Sequence, residues 1–428
     1  MSQITADQYG QMLDRVSRHP AMAADNVNLP EGRLKGLSTV LIGIGVAGLL
    51  ATVAGAVIYG NLKHAFAAYL VGVLCVTAAS LGGLFWTMVF HQVNAGWSAT
   101  VRRQFENLMM NLPLCMGLVA IYLIAELATG DTLLTWMKVD ASTNHLMHHK
   151  KPWLNEPFLV VRFLVYAGVF SFLATRLWRL STEQDRSGDR FLTLKARKTS
   201  AGGLLAFALC TAFFAFDFVM ALDYRFFSTM FGVYFFASTA FSALCIVLLV
   251  TGLVRLGGRL TGAVSDEHVH DLGKLTFGFT VFWGYIAFSQ YFLIWYSNIP
   301  EETAYFVYRK QGGWQNLSAI LVIGHFLIPF LLLLQRPIKR HPAGVASVGV
   351  WLLVMLFLDM VWLVRPMVYV GIPAAQIPGA ERWWLDIAGL LGVAGIWGGV
   401  LVARIGRGPL VPLKDPRLTE SLEHRNYV

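Results

Sequence analysis

Residues 215–236, AFDFVMALDYRFFSTMFGVYFF, carry Asp217, Asp223 and Arg225 in a stretch that is otherwise almost wholly apolar. Charge in such a run faces a protein interior or a wet cavity and has a partner. Asp223 and Arg225, two residues apart, read as an interfacial ion pair. Asp217 lies between Phe216 and Phe218, with Tyr224 seven residues on. Burial favours the neutral form of such a carboxyl, which brings proton exchange into the physiological range. The competing reading is a carboxylate fixed by hydrogen bonds between helices. Further polar groups interrupt other apolar runs: His325 with Pro329 nearby, Asp359 ahead of Arg365 and Pro366, Glu126, Gln290 with Tyr285 and Ser289, and His91 with Gln92. Asp217, His325 and Asp359, with Glu126 and Arg365 in second place, are the candidate residues of a proton pathway. The alternative is a set of scattered structural contacts.

Histidines and cysteines narrow the redox chemistry. A b-type haem needs two histidines at similar depth on facing helices, and His64, His91 and His325 fall at three different depths. NHLMHHKK places His145, His148 and His149 on one face of any helix, where either a metal or a basic docking surface fits. Cys75, Cys115, Cys210 and Cys245 sit singly inside apolar runs, with no CxxC. They read as small buried hydrophobes rather than ligands or disulfides. No redox cofactor and no metal is therefore expected in this chain.

The elements that must position these groups are membrane helices. The chain of 428 residues is 56% hydrophobic and only 14% charged, with a mean hydropathy of +0.56. Too little charge remains for a soluble domain. Ten apolar runs are long enough to span, at 37–59, 65–90, 108–128, 157–180, 200–222, 228–256, 273–297, 314–335, 344–366 and 382–404. The expected class is all-α and polytopic, with a polar tail at 1–36, a membrane domain at 37–404 and a second tail at 405–428. The polar first 36 residues followed by a full-length span predict an anchor rather than a cleaved signal. Roughly 24 of the 34 Lys and Arg residues fall on the side shared by the termini and the loops after the even-numbered spans, which the positive-inside rule makes cytoplasmic. The loop RLSTEQDRSGDRFLTLKARK after span 4 is the strongest vote. On this topology Asp217 lies roughly 25 Å along its helix, in the outer third. The net charge of +9 is explained by this loop bias and by anionic lipid; no basic groove or reader motif points to nucleic acid.

Two glycine patterns belong to packing. GIGVAG at 43–48 matches the dinucleotide fingerprint in letters only, because it lies inside a continuous span with no strand before it. Gly43, Gly45 and Gly48, and Gly389, Gly392 and Gly395 in span 10, predict close helix contacts. SDEHVHDLGK before span 7 reads as a helix start, with Ser265 as its cap.

FSQYFLIWYSNIPEETAYFVYR at 288–309, HLMHHKKPWLNEPFLVVR at 145–162 and FDFVMALDYRFFSTMFGVYFF across spans 5 and 6 resemble the ActF-type membrane subunit of bacterial alternative complex III. That complex is a quinol:cytochrome c oxidoreductase, and the subunit belongs to the NrfD/PsrC superfamily. The resemblance covers nearly the whole apolar part. It implies two four-helix bundles, spans 2–5 and 6–9, flanked by spans 1 and 10. It implies multi-pass placement in the bacterial inner membrane with both termini cytoplasmic. The partners it implies are a second NrfD-like membrane subunit, multihaem and monohaem cytochrome c subunits, an iron–sulfur subunit and small membrane subunits, with a terminal oxidase as a further associate and lipid around them. Haem c and iron–sulfur clusters would sit in those partners, and quinol would be the substrate of the complex. This chain would then supply proton conduction or anchoring. A second reading makes it the quinol-oxidising subunit itself, with Glu126, Asp217, Trp136 and Tyr122 forming the site. A third, a secondary transporter, lacks paired Gly/Pro-broken helices in two halves.

Overall fold

The computed structural model describes residues 5–130, 132–369 and 382–426. Among these, every regular element is helical, and ten helical segments are long and apolar enough to cross a membrane. In chain order they are span 1 (Lys35–Tyr59), span 2 (Leu62–Gln92), span 3 (Gly96–Thr129), span 4 (Glu156–Ser187), span 5 (Phe191–Leu222), span 6 (Phe231–Leu256), span 7 (Asp266–Ser297), span 8 (Trp314–Leu334), span 9 (Pro342–Tyr369) and span 10 (Trp383–Ile405). The chain is an all-α polytopic membrane protein.

Helix ends follow local chemistry. Span 4 starts where the Asn155 side chain accepts the Phe158 N–H at 3.0 Å, with Pro157 in the first turn, and stops at Gly188 in the left-handed region. Ser265 caps span 7, its N–H donating to His268 Nδ1 at 3.1 Å. The main departures from the apolar runs are helices that outlast them. Span 3 begins at Gly96 rather than 108, and its first helix, Ala99–Met109, is buried throughout although it contains Arg102, Arg103 and Glu106. Spans 5 and 7 likewise start earlier, at Phe191 and Asp266. A hydropathy edge marks where hydrocarbon could end, not where backbone hydrogen bonding does.

Spans 2–5 form one bundle and spans 6–9 a second, joined by direct packing of span 2 on span 6. These two helices are buried nearly all round. Small residues permit it: a Cβ on Gly82 would collide with the Thr239 backbone, and one on Gly83 with Phe105 and Met109. Spans 1 and 10 pair with each other and lie together against span 2. Their contact is glycine on glycine. Gly45 meets Gly392 and Gly395, and Gly48 meets Gly392, while Ser38 Oγ donates to the Gly399 carbonyl at 2.8 Å. Gly389 contacts Ala68 of span 2. Gly43 departs from expectation: its Cβ position is open. The outer faces of spans 1, 4, 5, 7 and 8 expose large apolar side chains such as Val57, Leu164, Leu205, Phe288 and Val322, as lipid-facing surfaces do.

The two tails meet on one face and dock into the membrane domain. The Leu410 N–H donates to the Val27 carbonyl at 2.8 Å, and Tyr9 Oη to the Lys414 carbonyl at 2.7 Å. Asp415 pairs with Arg102. Ser421 Oγ contacts Thr100 Oγ1 at 2.9 Å and His268 Nε2 at 3.1 Å. Sequence polarity separates these tails from the membrane domain; packing does not.

Candidate functional site

In the second bundle, Asp359 of span 9 is completely buried. Tyr234 Oη of span 6 donates to its Oδ1. Trp283 Nε1 of span 7 donates to Oδ2 at 3.3 Å, and Ser238 Oγ lies 3.5 Å from the same oxygen. All three donors are neutral, and among the described residues Asp359 forms no ion pair. The Trp283 indole also stacks with the ring of His325 of span 8, at 3.7 Å between ring centroids. Phe241 closes its edge at 4.9 Å. His325 is fully buried, and neither ring nitrogen has a hydrogen-bond partner among the described residues.

The backbone around His325 is also unusual. Leu321–Leu327 forms π-helical turns, with the Ile328 N–H reaching back to the Ile323 carbonyl. Pro329 follows and cannot donate to the carbonyl four residues before it, that of His325. The disturbed ladder beside Pro329 takes the form of a π-helical stretch, a feature concentrated at functional sites. Four spans converge on this cluster, each from a different part of the sequence.

Asp217 is placed otherwise. It lies in the first bundle and is held by Arg162 of span 4, whose Nε and Nη2 donate to Oδ2 and Oδ1 at 2.8 and 2.9 Å. Tyr166 Oη adds a bond of 2.7 Å and Trp153 Nε1 one of 3.0 Å. The guanidinium also bonds the Trp153 carbonyl at 2.8 Å and lies over the Trp153 and Phe158 rings. Tyr224, expected on Asp217's face, instead contacts Asn144 at 3.3 Å. Each Asp217 oxygen is therefore engaged, the pair with Arg162 being bidentate and charge-assisted. Asp217 does not reach Asp359. Phe214 packs on Tyr166 and, at 5.9 Å, on Phe235, so aromatic rings stand between the two clusters.

The second-choice residues are also committed to structure. Glu126, fully buried, accepts the Leu133 N–H at 3.0 Å and the Leu134 N–H at 3.4 Å, tying down the loop after span 3. Tyr122, one helical turn before Glu126, is buried and interacts with its carboxyl, while Trp136 Nε1 is buried without a hydrogen-bond partner among the described residues. Arg365 donates through Nε to Asp386 at 2.8 and 2.9 Å, and its Nη1 lies 2.8 Å from His64 Nδ1, joining the ends of spans 9, 10 and 2. Asp223 and Arg225 form the expected ion pair at 2.9 Å.

The structure adds groups that hydropathy had assigned to loops. Arg102 and Arg103 both pair with Glu106, Arg103 with Asp185, and Ser181 Oγ donates to Glu106 at 2.8 Å. Their spacing in VRRQFEN, three and four residues, was a legible helix signal. Arg309, after span 7, is buried with its guanidinium spent on backbone carbonyls: those of Trp362, Tyr305 and Leu363, at 3.2, 2.8 and 2.9 Å. Burial lowers its pKa from the ordinary arginine value, with Tyr305 and Asp223 acting against that shift.

Between spans 7 and 8 a cavity of about 620 Å³ opens, with Tyr234 and Trp283 in its lining. The four cysteines are buried and free. His145 and His149 lie with their Nε2 atoms 3.3 Å apart, but among the described residues no group of three or more potential ligands is placed to hold a metal. No protein-family model matches this chain, and no curated protein matches it.

Proposed function

We propose that this chain is an integral membrane subunit of a quinol:cytochrome c oxidoreductase of the alternative complex III type, carrying no redox cofactor itself, and that Asp359 and His325 supply its proton site. The sequence resemblance in spans 4–7 supports the place in that complex. The observation that carries the proton role is the pairing of a buried carboxylate, bonded only by neutral donors, with a buried imidazole whose two nitrogens are unpartnered. Such a pair can gain or lose a proton without breaking an ion pair. Arg162 denies that freedom to Asp217, whose role is to fix spans 4 and 5.

In this reading electrons stay in the partners. These are a second NrfD-like subunit, cytochrome c subunits, an iron–sulfur subunit and small membrane subunits, in the bacterial inner membrane. The loop charge supports cytoplasmic termini. A second reading, quinol oxidation in this chain, is favoured by the unpartnered Trp136 Nε1, close in sequence to the loop amides that Glu126 holds.

The test is purification of the tagged chain from its own host, with a reduced-minus-oxidised spectrum and a haem-stained gel, followed by proton-to-electron stoichiometry in liposomes. Haem c subunits are expected to co-purify. Asp359→Asn is expected to preserve subunit content while lowering the protons moved per electron. An unchanged stoichiometry removes the proton role, and a chain that purifies alone and colourless removes the complex.

A further inference from the structure

We infer that Arg309 is a positioning residue for Asp359: it closes the proline-broken far end of span 9 and so fixes the rotation at which that carboxylate meets Tyr234 and Trp283. Span 9 is α-helical over Pro342–Val364 and continues as 3-10 turns over Arg365–Tyr369. The last carbonyls of an α-helix have no donor within it. Pro366, moreover, has no N–H to give to the Trp362 carbonyl four residues back. Arg309 supplies what is missing. Its Nε donates to the Trp362 carbonyl at 3.2 Å and its Nη2 to the Leu363 carbonyl at 2.9 Å, while Nη1 holds the Tyr305 carbonyl at 2.8 Å. A planar guanidinium fork serves successive carbonyls at once, which the point-like ammonium of a lysine does not. Among the described residues Arg309 forms no ion pair, and a buried cation without a carboxylate partner is costly. The three carbonyls offset that cost, together with the Tyr305 and Trp362 rings, whose centroids lie 3.5 and 4.6 Å from the guanidinium carbon.

The clamp reaches the Asp359 cluster through three elements. Leu363 is four residues after Asp359, one turn along the same helix face, so unwinding at the clamp turns the carboxylate directly. Trp362 Nε1 donates to Ser318 Oγ of span 8 at 2.8 Å, and Ser318 Oγ in turn reaches the Arg309 carbonyl at 3.4 Å. His325 follows seven residues farther along that span. Tyr305 belongs to the short helix Pro300–Tyr308, and its ring stacks on Phe226 at 3.9 Å. Phe231 then packs on both Phe226 and Tyr234, at 6.1 and 6.2 Å. Arg309 thus ties together the spans that carry Asp359, His325 and Tyr234 without a hydrogen bond to any of those three side chains. This role rests on the reading of Asp359 as the proton site; the closure of the helix end does not.

The experiment compares Arg309→Lys with Arg309→Lys combined with Pro366→Ala, in the protein purified with its subunits. The readouts are cryo-electron microscopy and the protons moved per electron in liposomes. Arg309→Lys keeps the charge and loses the fork. It is expected to retain subunit content, to lose the Tyr234–Asp359 hydrogen bond and to lower the stoichiometry to the level of Asp359→Asn. Pro366→Ala returns an N–H to the Trp362 carbonyl, and the double variant is expected to regain both the bond and the stoichiometry. Should Arg309→Lys fail to assemble, the double variant is expected to assemble with the bond in place. A Tyr234–Asp359 bond that is intact in Arg309→Lys, or a double variant no better than the single one, overturns the inference. If the bond is lost and regained while the stoichiometry never moves, Arg309 positions Asp359 and the proton reading falls. If the bond survives in Arg309→Lys and Asp359→Asn still lowers the stoichiometry, the proton reading stands and the role of Arg309 falls.

Discussion

Asp217 and Asp359 occupy the last spans of successive bundles and are equally hidden from solvent, yet their neighbours give them different chemistry. Arg162 makes Asp217 half of a buried ion pair. Removing one partner of such a pair leaves an uncompensated charge and costs about 3–5 kcal/mol, whereas replacing both with packed apolar groups is often neutral. Arg162→Met is accordingly expected to lower the Tm of the detergent-solubilised protein markedly, and Arg162→Met combined with Asp217→Leu to recover most of it. A double variant as unstable as the single one would contradict the clamp. Both aspartates are legible in the sequence as charges in apolar runs. Their difference is not, because Arg162 is fifty-five residues from Asp217.

At the scale of elements, the pairing of spans 1 and 10 depends on missing side chains. Gly48 approaches the Gly392 backbone so closely that a Cβ would lie 2.5 Å from its nitrogen. Gly48→Leu must push the helices apart, and overpacking of this kind costs about 1–3 kcal/mol. Gly43→Leu, in the same GIGVAG stretch, meets open space and is expected to leave thermal stability unchanged. Equal effects of the two variants would refute the interface. The glycine spacing announces a packing face in the sequence, but which of the three glycines lie on it is set by the rotation of span 1 against span 10. The π-helical stretch of span 8 belongs to the same scale. Pro329 signals a disturbed ladder, and packing decides that it brings His325 against Trp283.

Across the whole molecule, the tails hold the first bundle from one face. Asp415 lies outside the spans. Burial opposes its ionisation, but the Arg102 charge and hydrogen bond, with the Arg417 N–H at 2.8 Å, hold its pKa below the usual aspartate value. The stability from this depressed carboxyl is fully present above the unfolded value of about 3.9 and is lost as pH falls through the folded one. A fluorophore on Glu423→Cys is expected to report a docked tail at neutral pH and release only in acid below about pH 4. Asp415→Asn is expected to loosen the tail already at neutral pH. Tail mobility unaffected by either change would separate docking from this pair.

Hydropathy and length alone determined that this chain is helical and that it holds ten runs long and apolar enough to cross a membrane, an even number that leaves both tails on one side. Each of those properties is local: a run of about twenty apolar residues must satisfy its own backbone hydrogen bonds in hydrocarbon. The sequence also singled out the residues of interest, since a carboxyl or imidazole in such a run is costly enough to stand out. Which of them meet was decided by tertiary structure. Asp359, Tyr234, Trp283 and His325 come from four spans, and Asp217 finds Arg162 across a loop and two helices. Contacts of that kind depend on the rotation and depth of each helix against its neighbours, quantities that the apolar pattern of a single buried helix does not record.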